Sequence, residues 1–257
     1  MIICIDVGNT DIVTGVFKDQ DLIAMFRTSS DRYKSVDEYQ EIFTNLLLSK
    51  NISLTDIKGC CLSSVVVELT NIVSSSIRRI INQEVVILAP GTKTGLKLKC
   101  DNPSEVGADM IADCVGCLSK YGNKSIIVDC GTATKLIVVD ENNSFSGCVI
   151  MPGVKTSMKS LTSNASLLNP VNLTKPDKVI GKNTPDCLNS GIIYGHACAI
   201  EGLIKRCEKE LGYKCKIIIT GGLGSTIAKA LNIDYTIDKT LLLYGLYIIY
   251  KKNTEGK

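Results

Sequence analysis

The chain lacks any uninterrupted apolar run of the ~18 residues that a membrane-spanning helix needs. Its longest such stretch, Leu241 to Tyr250, reads instead as a buried C-terminal helix. It also lacks a charge surplus: 29 Lys+Arg stand against 26 Asp+Glu, a net +3, with no basic block and no alternation of basic and aromatic residues. That balance argues against nucleic acid as a partner. No basic start precedes the first apolar residues, and Asp6 interrupts them before they reach the length of a signal peptide, so the expected location is cytoplasmic, away from membranes. Histidine occurs once, at His196, which leaves no His-x-x-x-His pair for zinc.

Cysteine, by contrast, is plentiful, with twelve residues. The Cys-x-x-Cys spacing occurs at Cys114 and Cys117, inside an expected helix rather than at its N-terminus, where the dipole would lower a thiol pKa. Cys4, Cys60, Cys61, Cys207 and Cys215 fall in expected strands or on apolar helix faces. They read as small core residues in a reducing compartment, with a metal or redox role as the alternative.

A length of 257 residues suits two domains, and an internal similarity supports a division into 1–117 and 118–257. The segment Ile3-Cys4-Ile5-Asp6-Val7-Gly8-Asn9-Thr10-Asp11-Ile12-Val13 is echoed by Ile126-Ile127-Val128-Asp129-Cys130-Gly131-Thr132-Ala133-Thr134-Lys135-Leu136-Ile137. In each, an apolar strand ends in aspartate, turns through glycine and small polar residues, and returns as a second strand. Glycine lets main-chain N–H groups approach an anion while the carboxylate recruits a cation. Two such turns facing across a cleft suit a polyphosphate with its metal, hence an ATP-using phosphotransferase.

The order of elements is duplicated as well. Strands are expected over Ile2–Asp6, Ile12–Phe17 and Leu22–Arg27, then a helix from Ser35 to Leu48, a strand Gly59–Val66, a helix Leu69–Ile81 and a strand Glu84–Leu88. The second half repeats this with strands Ser125–Val128, Thr134–Val139 and Gly147–Ile150. A long helix over Cys187–Leu211, a strand Lys216–Ile219 and a helix Ser225–Leu231 follow. The stretch from Asn164 to Pro185, with Pro170 and Pro176, reads as irregular: a solvated loop, a subunit contact or a cover over the site.

With the stretch Cys100-Asp101-Asn102-Pro103-Ser104-Glu105-Val106-Gly107-Ala108-Asp109 the chain becomes recognisable: it resembles the type III pantothenate kinases over nearly its whole length. Supporting segments include Asp6-Val7-Gly8-Asn9-Thr10, Asp129-Cys130-Gly131-Thr132-Ala133-Thr134, Pro152-Gly153, Gly181-Lys182-Asn183-Thr184 and Thr220-Gly221-Gly222-Leu223. The resemblance implies a duplicated ribonuclease-H-like, actin-like (ASKHA) α/β fold, with two similar lobes that each carry a mixed sheet flanked by helices. It further implies ATP-dependent phosphorylation of pantothenate at its 4′-hydroxyl, the first step of coenzyme A biosynthesis. A homodimer, Mg²⁺ and an activating monovalent cation, K⁺ or NH₄⁺, come with it.

Residue by residue, the resemblance assigns ATP to Asp6 and the turn through Asn9, Thr10, Asp11, Ile12 and Val13, to Thr132, and to Gly221 and Gly222. It places Mg-ATP at Asp6 and the monovalent cation at Asp129. Asp109 matches the base that takes the alcohol proton. Cys100, Gly107, Ala108, Met110 and Thr184 match substrate positions, Thr184 from the neighbouring subunit. Read alone, the first turn is also an ordinary hairpin, and Asp109 also a helix-start carboxylate favoured by the macrodipole.

Several positions depart from the family pattern. Met110 replaces an arginine, Asp113 an asparagine, Cys100 an aromatic residue, Lys135 a threonine, Val67-Glu68 prolines and Glu201 an aspartate. Losing a forked charge contact costs about 1.5–3 kcal/mol, roughly 10- to 150-fold in binding. Lys97, Lys99 and Lys135 are candidate substitutes for that charge. The alternatives to the family activity are therefore a non-catalytic or weakly active nucleotide-binding regulator, or a kinase of a different small alcohol. His196 is expected to serve packing or an interface, with an acceptor contact as the alternative.

Overall fold

A computed structural model describes residues 1–254 and resolves them into two compact units. The first holds residues 1–96 and 101–119 together with the C-terminal helix; the second holds residues 97–100 and 120–240. The expected division at 117/118 assigned that helix to the second half, whereas its contacts lie with the first sheet.

In the first unit, β1 (Ile2–Val7), β2 (Asp11–Lys18) and β3 (Asp21–Ser29) form an antiparallel meander. Strands β4 (Gly59–Ser64) and β5 (Val85–Ile87) then add in parallel beside β1, giving the order β3-β2-β1-β4-β5. Helices α1 (Val36–Ser49) and α2 (Val67–Ile81) arise where the apolar period shifts from two to near 3.6. Ser35 starts α1 with a capping box: its hydroxyl accepts from the Glu38 N–H while the Glu38 carboxylate accepts from the Ser35 N–H. Tyr39, Phe43 and Leu47 of α1 and Leu69, Val73 and Ile77 of α2 bury against Ile3, Ile5 and Leu62 of the sheet. Cys4, Phe17 and Cys61 form a separate cluster with α3 (Ala108–Lys120) and α8 (Leu241–Thr254).

The second unit repeats the plan. Its β7 (Ser125–Cys130), β8 (Ala133–Val139) and β9 (Ser144–Pro152) are antiparallel; β10 (Lys216–Thr220) and β11 (Thr236–Ile237) continue in parallel beside β7. The short β6 (Lys97–Leu98) joins the far edge, parallel to β9. Ile126, Val128 and Leu136 bury against α4 (Val154–Asn164), α6 (Gly195–Leu211) and α7 (Gly224–Ala228). The segment 165–183 carries no regular element, and α5 (Thr184–Asn189) follows it. Between α5 and α6 the chain takes one π-helical stretch, Ser190–Tyr194, so the expected long helix exists but is widened near its start.

Two corners are fastened by an aspartate that pairs with a lysine. Asp238 accepts from Lys120 Nζ at 2.8 Å, from the Tyr121 hydroxyl at 3.0 Å and from both the Thr240 N–H and hydroxyl. Burial alone would push its carboxyl up, but these donors outweigh it and hold the group below the usual value. Asp140 is held down in the same way, against burial, by Lys99 at 2.6 Å and the Ser144 and Asn142 N–H groups. Burial pushes the Cys61 and Cys130 thiols up to about 12, so neither offers a thiolate near neutral pH.

Candidate functional site

The first aspartate turn is built by β1 and its two neighbours. Asp6 lies opposite Val13 on β2 and Ser63 on β4, and the Ser63 hydroxyl donates to Asp6 Oδ1 at 2.6 Å. The Gly8 N–H closes the turn on the Asp11 carbonyl at 3.0 Å, and its own carbonyl accepts from the Ser30 hydroxyl. Asn9 and Thr10 stand exposed at the tip. Val7 and Ile12 face the core with no exposure and are paired in the strand ladders on both sides, so their side chains are closed to a ligand, while Asp11 pairs with Arg27 at 3.4 Å. Among the described residues no three His, Cys, Asp or Glu side chains gather into a metal cluster. Mg²⁺ that arrives on phosphate oxygens and keeps its waters needs only one or two carboxylates, and Asp6 fits that use.

The second turn is more enclosed. The Gly131 N–H bonds the Ala133 carbonyl at 3.1 Å, and Thr132 is exposed at the tip. Gly221 takes φ +85°, and its Cα backs onto the Asp129 carboxylate and the Cys130 main chain so closely that a Cβ has no room. Gly221 and Asp129 thus lie side by side, with Thr132 at the tip of the same turn as Asp129. The sequence reading gave no role to Gly153, whose N–H bonds the Thr132 carbonyl at 3.1 Å and whose Cα sits against the main chain of the turn. The Thr156 hydroxyl, in the first turn of α4, reaches the same carbonyl at 2.7 Å. The Pro152-Gly153 pair was the available signal.

Asp129 is directly opposite Lys135 across the β7–β8 ladder, and the Lys135 ammonium lies 2.7 Å from Asp129 Oδ2. The position expected for K⁺ or NH₄⁺ therefore already holds a cation. A second one about 4 Å from the ammonium would be repelled by roughly 4 kcal/mol at an effective dielectric of about 20. An inorganic monovalent cation does not fit these residues.

Helix α3 carries the candidate base. Asn102 caps the short turn Pro103–Glu105 before it, accepting from the Ser104 N–H at 3.2 Å and donating to Glu105 at 2.7 Å. Asp109 is partly exposed in the first turn of α3, with Oδ1 accepting from the Met110 N–H at 2.8 Å. Gly107 leaves the space this carboxylate occupies, since a Cβ there would collide with it. Ala108 beside it is half-buried. Met110 is 7% exposed and Asp113 fully buried, so the two departures from the family pattern are inward-facing. Cys100 is assigned to the second unit and the run from Asp101 to the first. Of the candidate charge substitutes, Lys99 is bound to Asp140 and Lys135 to Asp129, leaving Lys97 exposed on β6.

Thr184 begins α5, exposed, beside a cavity of about 770 Å³ lined by Leu161, Leu168, Gly181, Leu188 and Ile192. Asn183 caps α5 through the Asp186 N–H at 2.9 Å. His196 is buried; its Nδ1 lies 2.7 Å from the Ile192 carbonyl and its Nε2 3.1 Å from that of Pro152, a packing role.

No helix among the described residues is long and apolar enough to cross a membrane. The chain is similar to a solved structure from Campylobacter jejuni described as a Baf family transcriptional activator, at 21% identity and TM-score 0.60 over 98% of both chains. An activator of 2-hydroxyisocaproyl-CoA dehydratase from Clostridium difficile, solved with bound ADPNP, matches at 14% identity and TM-score 0.57 over 97% of this chain and 94% of its own. A Sinorhizobium meliloti protein described as a 2-dehydro-3-deoxygalactonokinase matches at 10% identity and TM-score 0.60 over 100% and 98%. At these identities the likeness establishes the fold, the duplicated actin-like plan of sugar kinases and related ATPases. The family model described as type III pantothenate kinase matches residues 2–206, a span that includes both aspartate turns and Asp109, and the chain belongs to that family of kinases.

Proposed function

We propose that the protein transfers the γ-phosphoryl group of ATP to the 4′-hydroxyl of pantothenate, the opening step of coenzyme A synthesis, acting as a cytoplasmic homodimer. The observation that carries this reading is Asp109: a partly exposed carboxylate in the first turn of α3, with room made for it by Gly107, inside a chain of the kinase family. In this role Asp109 accepts the alcohol proton as the O–P bond forms. The exposed Asn9 and Thr10 at the tip of the first aspartate turn contact phosphate oxygens, and Thr132, Gly221 and Gly222 serve the nucleotide. Asp6 holds Mg-ATP, and the metal, when bound, neutralises charge on the phosphate oxygens. Cys100, Ala108, Met110 and the neighbouring subunit's copy of Thr184 border the acceptor.

The test is direct: purified protein with Mg-ATP and pantothenate, with phosphopantothenate detected by mass. Its absence at saturating substrate removes the proposal. A second reading, a kinase of another small alcohol, is favoured by one observation. Met110 is buried where the family has an arginine, and no thioether can pair with a carboxylate. ATP consumption with neutral or cationic alcohols but not with pantothenate would select it.

A further inference from the structure

We infer that the side-chain ammonium of Lys135 is a built-in replacement for the activating monovalent cation, so that this protein works without K⁺ or NH₄⁺. The inference rests on the kinase reading for its consequence, but its basis is the geometry of one ion pair.

Lys135 and Asp129 are ladder partners on adjacent antiparallel strands, and the pair closes at 2.7 Å. Their side chains are only 13% and 12% exposed, so the ammonium is lodged there rather than sweeping through solvent. Gly131 and Gly221 pack around the same carboxylate, and the Cα of Gly221 fills the space on its Oδ1 side. A lysine supplies what a monovalent ion would: one positive charge against Asp129. Its three N–H donors serve a carboxylate and further oxygen acceptors together. Because it is tethered to β8, its local concentration is fixed by the chain and independent of the medium. A threonine here would offer an oxygen and no charge, leaving the Asp129 carboxylate in want of an external ion.

The experiment compares wild type, Lys135→Thr and Lys135→Met in potassium, ammonium and choline chloride at equal ionic strength. Thermal midpoint is read first and ATP affinity by calorimetry second. Wild type is expected to give the same midpoint and affinity in every salt. Lys135→Thr should lose midpoint and about tenfold in ATP affinity in choline, and recover both in potassium or ammonium. Lys135→Met, with no oxygen to share, should lose both and recover neither. A wild type that responds to potassium as strongly as Lys135→Thr overturns the inference, as does a Lys135→Thr protein indifferent to all three salts. Failure of every form to bind ATP in any salt counts against the kinase reading alone, because the midpoint comparison still decides what Lys135 does.

Discussion

Gly116 of α3 and Gly245 of α8 are set face to face, so close that a Cβ on either would overlap the other helix's main chain. The two helices meet backbone to backbone: Gly245 abuts the Ala112 carbonyl and Gly116 the Leu241 carbonyl. Since α3 carries Asp109 about one turn before Ala112, this crossing sets where the candidate base stands.

Gly245→Ala is therefore expected to force the helices apart. Overpacking of this kind costs about 1–3 kcal/mol. Urea denaturation should show the loss, and phosphoryl transfer should fall further than the unfolded fraction accounts for. A variant as stable as wild type would mean that the crossing relaxes freely.

Asp109→Asn keeps the shape and removes the proton acceptor. Turnover should fall by roughly 10²- to 10⁴-fold while calorimetric ATP affinity stays as in wild type. Equal turnover would take Asp109 out of the role of base.

Met110→Arg restores the family's charge at a buried position. The stem can pack along the apolar surface while the guanidinium seeks the edge, at some cost in stability. If pantothenate is the acceptor, its KM should drop by about tenfold or more. An unchanged KM would point to a rebuilt pocket and a different alcohol.

Acid should loosen the Asp238 corner. A carboxyl whose folded pKa lies below its unfolded value stabilises above the unfolded pKa, near 4, and that contribution disappears as pH falls through the folded one. Asp238→Asn is expected to cost about 1–3 kcal/mol at neutral pH and to show a flatter decline of stability between about pH 5 and 3. Chemical denaturation across that range distinguishes the two; parallel slopes would locate acid sensitivity elsewhere.

Much of this was readable in the sequence, because strand alternation and the helix period that opens at Ser35 each leave a local mark. Helix α4 left none: Val-Lys-Thr-Ser-Met-Lys-Ser-Leu-Thr-Ser-Asn buries only Val154 and Met158, and its start depends on Gly153 meeting a turn distant in sequence. The π-helical stretch is likewise a tertiary outcome, since Ser190 to Tyr194 show the apolar spacing of an ordinary helix. The Lys135–Asp129 pair was legible in principle, as the two residues flank Thr132 at equal distances along the hairpin. What sequence spacing could not supply is that the ammonium would be shut in against the carboxylate.

The excursion of the chain into a second unit before α8 returns to the first has a consequence for synthesis. Cys4, Phe17 and Cys61 are covered by Leu246, Tyr247 and Tyr250. On the ribosome, that side of the first sheet lacks the cover of α8 until α8 emerges, after the second unit has been made. The first unit is thus completed only after the second has been made, and whatever shields its apolar face must act while the second is being synthesised.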